Sequence, residues 1–254
     1  MSKIISVHSF RGGTGKSNLT ANLSYLAARL GNRVGVIDTD IQSPGVHVLF
    51  GLGDGHIKSS LNDYLWGRCP IEDAACDVSA NLDLDITASR ARLFVIPSSL
   101  DAGDIARVLR DGYDPALLND GIHALIERLG LDLLFIDTHP GVNEETLLSI
   151  AISDGLVILL RPDQQDYQGT AVTVELARRL GVPRMLLVLN KVLPIFDSVA
   201  IRQQAETTFN ASVAGVLPLS EEMVQLASSD IFSRRHPDHP FTTGVRQILT
   251  RLLA

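Results

Sequence analysis

The segment Phe10-Arg-Gly-Gly-Thr-Gly-Lys-Ser-Asn18 sets three glycines within four residues, between an alternating apolar run, Ile4–His8, and a stretch in which Leu19, Leu23, Leu26 and Leu30 share one helical face. Gly31 supplies the stop for that helix, which spans Lys16–Leu30 in this reading. Few structures accommodate such an order. Consecutive glycines let backbone N–H groups turn inward around an anion, and a helix opening directly behind them adds its positive end. The unit therefore reads as strand, phosphate cradle, helix. Gly12, Gly13, Thr14, Gly15, Lys16, Ser17 and Asn18 are the expected contacts. Lys16 would meet terminal phosphates as a point charge, and the Ser17 hydroxyl would ligate Mg²⁺. The usual P-loop spacing wants a glycine five residues before Gly15, where this chain has Phe10. The first glycines have moved to positions 12 and 13, and the physical purpose survives the shift.

The rest of the chain repeats the alternation. Strands are expected at Val34–Asp38, Leu93–Pro97, Leu133–Asp137, Leu156–Leu160, Met185–Asn190 and Val213–Val216. Between and after them lie helical patterns near Asp101–Asp111, Pro115–Leu129, Asn143–Ala151, Gln168–Leu180, Ser198–Phe209 and Glu221–Ser228. This order predicts right-handed crossovers and an α/β fold, a P-loop NTPase with a mostly parallel sheet and helices on both faces. Residues 1–254 are read as a single domain, with Gly51–Asp54 and Pro237–Pro240 as the loop-like interruptions. Hydrophobic residues at 45% and aromatics at 5% fit such an aliphatic core.

Composition removes several classes. The longest apolar runs are too short to span a bilayer, and the N-terminus reads as a first strand, not a signal peptide. Cys69 and Cys76 form neither a disulfide framework nor a zinc or redox spacing, which places the chain in a reducing cytoplasm. The net charge of −7 falls wholly in residues 1–150, which argues against a chain that coats nucleic acid everywhere. The neutral second half holds Arg178, Arg179, Arg202, Arg234, Arg235, Arg246 and Arg251, and leaves room for weak non-specific DNA binding.

Two acidic stations end strands where ligands bind in an open parallel sheet. They are Val36-Ile-Asp38-Thr-Asp40 and Leu133-Leu-Phe-Ile-Asp137-Thr-His-Pro-Gly141. Asp137 is placed to hold a water of the magnesium shell, and Asp38 to share it. Asp40 is placed to orient or polarise an attacking water. Asn190-Lys191 also ends a strand. A guanine reader of the Asn-Lys-x-Asp kind would need Asp at 193, where this chain has Leu193. The Asn190 amide suits an adenine edge, so ATP is expected over GTP.

These features, with Gly215-Val-Leu-Pro218, Leu61-Asn-Asp-Tyr-Leu-Trp-Gly67 and Ile71-Glu-Asp-Ala74, resemble the MinD/ParA family of positioning ATPases over nearly the whole chain. The resemblance adds Pro218 to the nucleotide contacts. It implies an ATP- and Mg²⁺-dependent switch that closes into a homodimer with two nucleotides between the subunits. It further implies slow hydrolysis stimulated by an activator protein, and positioning or segregation of a cargo on DNA or membrane. Arg11, Lys16 and Asp40 become the expected catalytic set. The family's loop begins Lys-Gly-Gly, and that lysine reaches the partner's phosphates; this chain has Arg11 there, a longer, planar, forked cation. An Arg11 that points to solvent, with another cation serving across the interface, is the alternative. Membrane-binding members end in a basic amphipathic tail, and none follows Leu253 here. DNA or a protein scaffold is therefore expected before membrane. The stripe Val245, Ile248, Leu249, Leu252, Leu253 in Thr243–Leu253 reads as a terminal helix docked on the core. His236-Pro-Asp-His239 reads as a solvated loop and not as a metal site. An iron–sulfur carrier would need paired cysteines, and an autophosphorylating kinase would need tyrosines beyond Tyr167. A P-loop biosynthetic ligase, or a nucleotide-binding regulator with little turnover, would use the same residues and stays open.

Overall fold

A computed structural model describes residues 2–53, 55–84 and 90–254. Its strands are β1 (Lys3–His8), β2 (Arg33–Asp38), β3 (Cys76–Asp77), β4 (Arg92–Ile96), β5 (Leu133–Asp137), β6 (Gly155–Leu160), β7 (Met185–Val192) and β8 (Val213–Pro218). The helices are α1 (Lys16–Arg29), α2 (Val46–Leu49), α3 (Leu61–Leu65), α4 (Ala102–Asp111), α5 (Pro115–Leu129), α6 (Glu144–Ala151), α7 (Gln164–Arg179), α8 (Ser198–Phe209), α9 (Glu221–Leu226), α10 (Phe232–Arg235) and α11 (Pro240–Leu253). The strands form one sheet in the order β3-β4-β2-β5-β1-β6-β7-β8. Every pairing is parallel except that of β3 with β4.

The sheet is buried on both faces, so its strands read as unbroken apolar runs. Alternate residues serve opposite layers. Ile5, Val7, Val34, Val36, Leu133 and Phe135 pack with α1 and α11, whose Leu19, Leu23, Val245, Ile248 and Leu249 belong to the same cluster. Ile4, Ile37, Leu134 and Ile136 pack with Leu118, Ile122 and Leu125 of α5 on the other face. Leu156, Ile158, Leu187 and Leu189 continue that face against Val174 and Ala177 of α7 and Ile201 and Ala205 of α8. The α/β fold with helices on both faces is as the sequence pattern predicts.

Differences from the sequence reading lie at caps and in short elements. Asp163 accepts from Asp166 N–H and starts α7 at Gln164, four residues before the apolar periodicity begins. His239 Nδ1 accepts from Phe241 N–H, and Pro240 occupies the first turn, so α11 starts inside the expected loop. A capping box between Ser60 and Asp63 builds α3. β3 is two residues long, too short for any periodicity to register. In the Gly51–Asp54 interruption, Gly51 takes a positive φ of 71°, and Asp54 lies outside the described residues.

The terminal stripe is docked as expected: Val245, Ile248, Leu249 and Leu252 are buried, and Leu253 packs at the edge of the same cluster. His236 stacks on Phe232 (centroids 4.6 Å apart) and His239 meets it edge-on at 5.0 Å. Cys69 and Cys76 are free thiols. Among the described residues no helix is long and apolar enough to cross a membrane.

Candidate functional site

The parallel register brings the carboxyl ends of β1, β2 and β5 to one edge. Val7 pairs with Asp137, and Asp38 pairs with Asp137 from the other side. The loop Ser9–Gly15 leaves β1 at that edge and enters α1 at Gly15, whose φ of 101° and ψ of 26° only glycine adopts without strain. A Cβ there would also sit 2.7 Å from Asn190 Nδ2.

The helix entrance is bare. Asp101, Asp114, Asn143, Asp163 and Asp197 cap α4, α5, α6, α7 and α8 with side-chain oxygens. No side chain caps α1, and no acidic residue occupies its first turn. Its first N–H groups and its positive end are left for an anion.

The loop's shape is held from outside. Asn190 Nδ2 donates to the Thr14 carbonyl (2.7 Å), and Lys191 Nζ donates to the Gly13 carbonyl (2.7 Å). Thr14 Oγ1 donates to Ser9 Oγ (2.8 Å), which in turn donates to the Arg11 carbonyl (2.8 Å). Phe10 packs so closely on α7 that a Cβ at Gly169 would meet its ring at 2.1 Å. Asn190, expected at the adenine edge, thus has its amide N–H committed to the loop. Lys191, whose side chain the sequence reading left unassigned, braces the same loop from a left-handed backbone (φ 56°).

Lys16 is buried at the centre of the site. The Ser17 side chain lies beside Asp137, close enough to favour its charged form, and Thr20 Oγ1 donates to Asp137 Oδ1 at 3.2 Å. Asp137 Oδ2 is buried with no partner. Burial raises the Asp137 pKa to about 6, against the opposing pull of Lys16 and the Ser17 hydroxyl. An unpartnered carboxylate oxygen beside a serine hydroxyl fits a hard divalent cation such as Mg²⁺. Among the described residues no group of three or more His, Cys, Asp or Glu side chains could hold an ion by itself. Magnesium here would take its other ligands from phosphate and water, as it commonly does.

Asp38 lies fully buried beside Asp137. Burial first, and the neighbouring Asp137 carboxylate second, push its pKa well above the usual range. Its two oxygens already accept from Asp40 N–H (3.0 Å) and Gly45 N–H (3.1 Å), so its evident task is to fold the 40–46 loop. That loop carries Asp40, whose Oδ1 accepts from Ser43 and stands 3.8 Å from His139 Nε2. Pro218 ends β8, half-buried, paired with Val192 at the same edge of the sheet as Asn190. Asn18 carries the first-turn carbonyl that accepts from Asn22 Nδ2 (2.7 Å).

Arg11, partly exposed, turns back onto its own chain. Its Nη1 lies 3.4 Å from Asp166 Oδ1 and 3.8 Å from Asp163 Oδ1. His8, unremarked in the sequence, is fully buried behind the loop with Nδ1 2.8 Å from Thr138 Oγ1. Burial, then the charge of Lys16, lower its pKa to about 3, so it is neutral. Its place at the end of β1 was readable; its partner was not.

Of the seven second-half arginines named above, all but Arg246 are engaged within the chain. Arg178 donates to the Phe209 and Asn210 carbonyls, and Arg202 and Arg251 to that of Val213. Arg179 pairs with Glu175, Arg234 with Asp230 and Asp83, and Arg235 with Asp230.

A family described as AAA domain matches residues 2–181. An uncharacterized ATP-binding protein of Methanocaldococcus jannaschii is 26% identical over 254 residues, covering all of this chain and 88% of that protein. The cell division ATPase MinD of Pyrococcus furiosus superposes with a TM-score of 0.81 over the whole of both chains, at 21% identity. The septum site-determining protein MinD of Pyrococcus horikoshii, complexed with Mg-ADP, gives a TM-score of 0.78 at 19% identity, covering 99% of this chain and 96% of that one. At these identities the two structures speak for the fold alone.

Proposed function

The chain belongs to the MinD/ParA family of P-loop ATPases, and on that premise we propose that it is an ATP-driven switch: it binds MgATP, closes into a homodimer, hydrolyses slowly, and so positions a cargo. The observation that carries this reading is the uncapped start of α1 above a Lys16–Ser17–Asp137 cluster with one buried carboxylate oxygen unpartnered.

Each residue then has a task. The bare N–H groups of α1 and the Gly12–Gly15 turn seat the phosphates, and Lys16 compensates their charge inside a desolvated pocket. Ser17 and Asp137, with Asp38 behind them, would hold Mg²⁺, which supplies charge neutralisation at the β- and γ-phosphates. Asp40, on a loop shaped by Asp38, orients the water that attacks the γ-phosphorus. As the new P–O bond forms, the bond to the bridging oxygen breaks and ADP leaves. Arg11 is the proposed cross-subunit cation, and an activator protein the proposed source of faster turnover. Asn190, Pro218 and the end of β7 flank the base. With most second-half arginines engaged inside the chain, we favour a protein scaffold over DNA as the surface.

The test is light scattering and phosphate release with MgATP, with and without duplex DNA, for the parent and Lys16→Ala. The parent should dimerise with ATP and not with ADP, and Lys16→Ala should lose nucleotide binding. Parent-like ATP affinity in Lys16→Ala would refute the site. Dimerisation without any turnover would leave a nucleotide-binding regulator.

A further inference from the structure

A cavity of about 540 Å³ lies at the carboxyl-terminal end of α1, between that helix, α10 and α11. Because α1 has 14 residues, its two ends stand about 20 Å apart. The cavity is therefore separate from the phosphate loop and shares no residue with it. Its volume falls in the range of small-molecule sites.

Its chemistry is polarised. Tyr25, Leu26 and Leu249 are buried and give it an apolar floor. Arg29, Arg234 and Arg246 line its walls, and no acidic side chain does. Arg234 is braced by Asp230 (3.1 Å) and Asp83 (2.6 Å) and is largely neutralised. Arg29 donates to the Tyr25 hydroxyl at 3.4 Å. Among the described residues neither Arg29 nor Arg246 has a carboxylate within 4.0 Å, in a chain whose net charge is −7. Ser233, which also lines the cavity, has a buried hydroxyl with no hydrogen-bond partner. Its backbone N–H is held by Asn22 Oδ1 at 2.7 Å, which fixes that hydroxyl's place against α1.

Arginines often lay their stems over apolar surface with their heads in water. That accounts for each residue singly, but not for two guanidinium groups without a carboxylate partner around one apolar-floored cavity. We propose that this cavity binds a small amphiphilic anion, a phosphate or carboxylate head on an apolar body. The head takes charge-assisted hydrogen bonds from Arg29 and Arg246. The body covers Tyr25, Leu26 and Leu249.

The full chain is titrated by calorimetry with octyl phosphate below its micelle concentration, inorganic phosphate and octyl glucoside, and floated with phosphatidylglycerol vesicles. Octyl phosphate should bind at least about tenfold more tightly than either the bare head or the uncharged amphiphile. The double variant Arg29→Gln/Arg246→Gln should weaken it about tenfold or more while MgATP affinity is unchanged, and Arg246→Lys should keep part of the binding. The proposal fails if the double variant binds octyl phosphate as the parent does. It fails equally if phosphate alone or octyl glucoside binds as tightly. Vesicle binding without binding of free octyl phosphate would also overturn it, in favour of a membrane surface.

Discussion

Arg11 Nη1 lies 3.4 Å from Asp166 Oδ1, on a carboxylate that Arg161 already holds through its backbone N–H (2.9 Å) and its guanidinium (3.0 and 3.1 Å). Burial alone would raise the Asp166 pKa, but the Arg161 hydrogen bonds and the Arg11 charge keep it below the usual range, so the group is ionised. In the free chain, then, the cation at the family's signature position is parked on its own subunit. The Arg11 side chain is 39% exposed, and ion pairs at such exposure are worth about 1 kcal/mol or less. Asp166 keeps Arg161 when Arg11 leaves, so the release is cheap.

Arg11→Ala should therefore keep the nucleotide affinity of the monomer, since Lys16 and the loop amides remain, and lose ATP-dependent dimerisation. A cation that meets a partner's developing phosphate charge is worth roughly 10³–10⁵ in rate in other nucleotide hydrolases. Arg11→Lys should retain part of both functions. Light scattering with MgATP reads the outcome, and an undiminished Arg11→Ala dimer would leave Arg11 with its Asp166 role alone.

Asn190→Ala separates bracing from base reading. Losing a buried amide hydrogen bond to the Thr14 carbonyl should weaken nucleotide affinity by about 1 kcal/mol, roughly fivefold. If bracing is the whole role, ATP and GTP weaken alike. A selective loss of ATP, read by competition calorimetry, would place the amide at the adenine edge instead.

Gly15→Ala forces a side chain into φ 101° and 2.7 Å from Asn190 Nδ2. Left-handed strain costs about 1–3 kcal/mol, and displaced Asn190 would add to it. Denaturant midpoints should fall, and nucleotide binding should fall further than stability explains, because the phosphate turn itself is distorted.

Asp40→Ala should bind ATP and dimerise yet release phosphate slowly, because Asp38 and Asp137 stay in place. Wild-type turnover in this variant would remove Asp40 from the chemistry.

His8 makes stability depend on pH. Its pKa is about 3 folded against an ordinary 6.5, so between these values the unfolded chain binds a proton that the native one refuses. Stability from this residue is present above pH 6.5 and is lost as pH falls toward 3. From pH 7.5 to 5 the loss is at most about 2 kcal/mol. Asp137, raised to about 6 in the fold, acts with the opposite sign below that pH, and Asp38 is raised likewise, so the comparison must be a difference. The parent should lose stability relative to His8→Gln over that interval in urea titrations. Parallel curves would show that His8 does not titrate differently on folding.

What local chemistry determines here is the alternation of elements and the cradle. Apolar runs of strand length, the stripe Leu19–Leu23–Leu26 and the Gly12–Ser17 turn each act over a few residues, so they are legible one by one; Leu30, expected on that stripe, lies past the end of α1 and is exposed. Partners are not. Asn190 and Lys191 reach the loop across 176 and 178 positions of chain, because β7 runs parallel to β6, one strand removed from β1, and ends at the same edge of the sheet. Asp38 is a strand-end acid in sequence, but one of its oxygens goes to N–H groups seven and eight residues on. Arg11 meets Asp166 only because α7 starts early, at a cap that periodicity does not mark. The arginine-walled cavity joins α1 to α11, the first and last long helices, packed on the same face of the sheet. Secondary structure follows from spacing along the chain, whereas the pairing of charges and amides follows from crossovers that only the folded sheet closes.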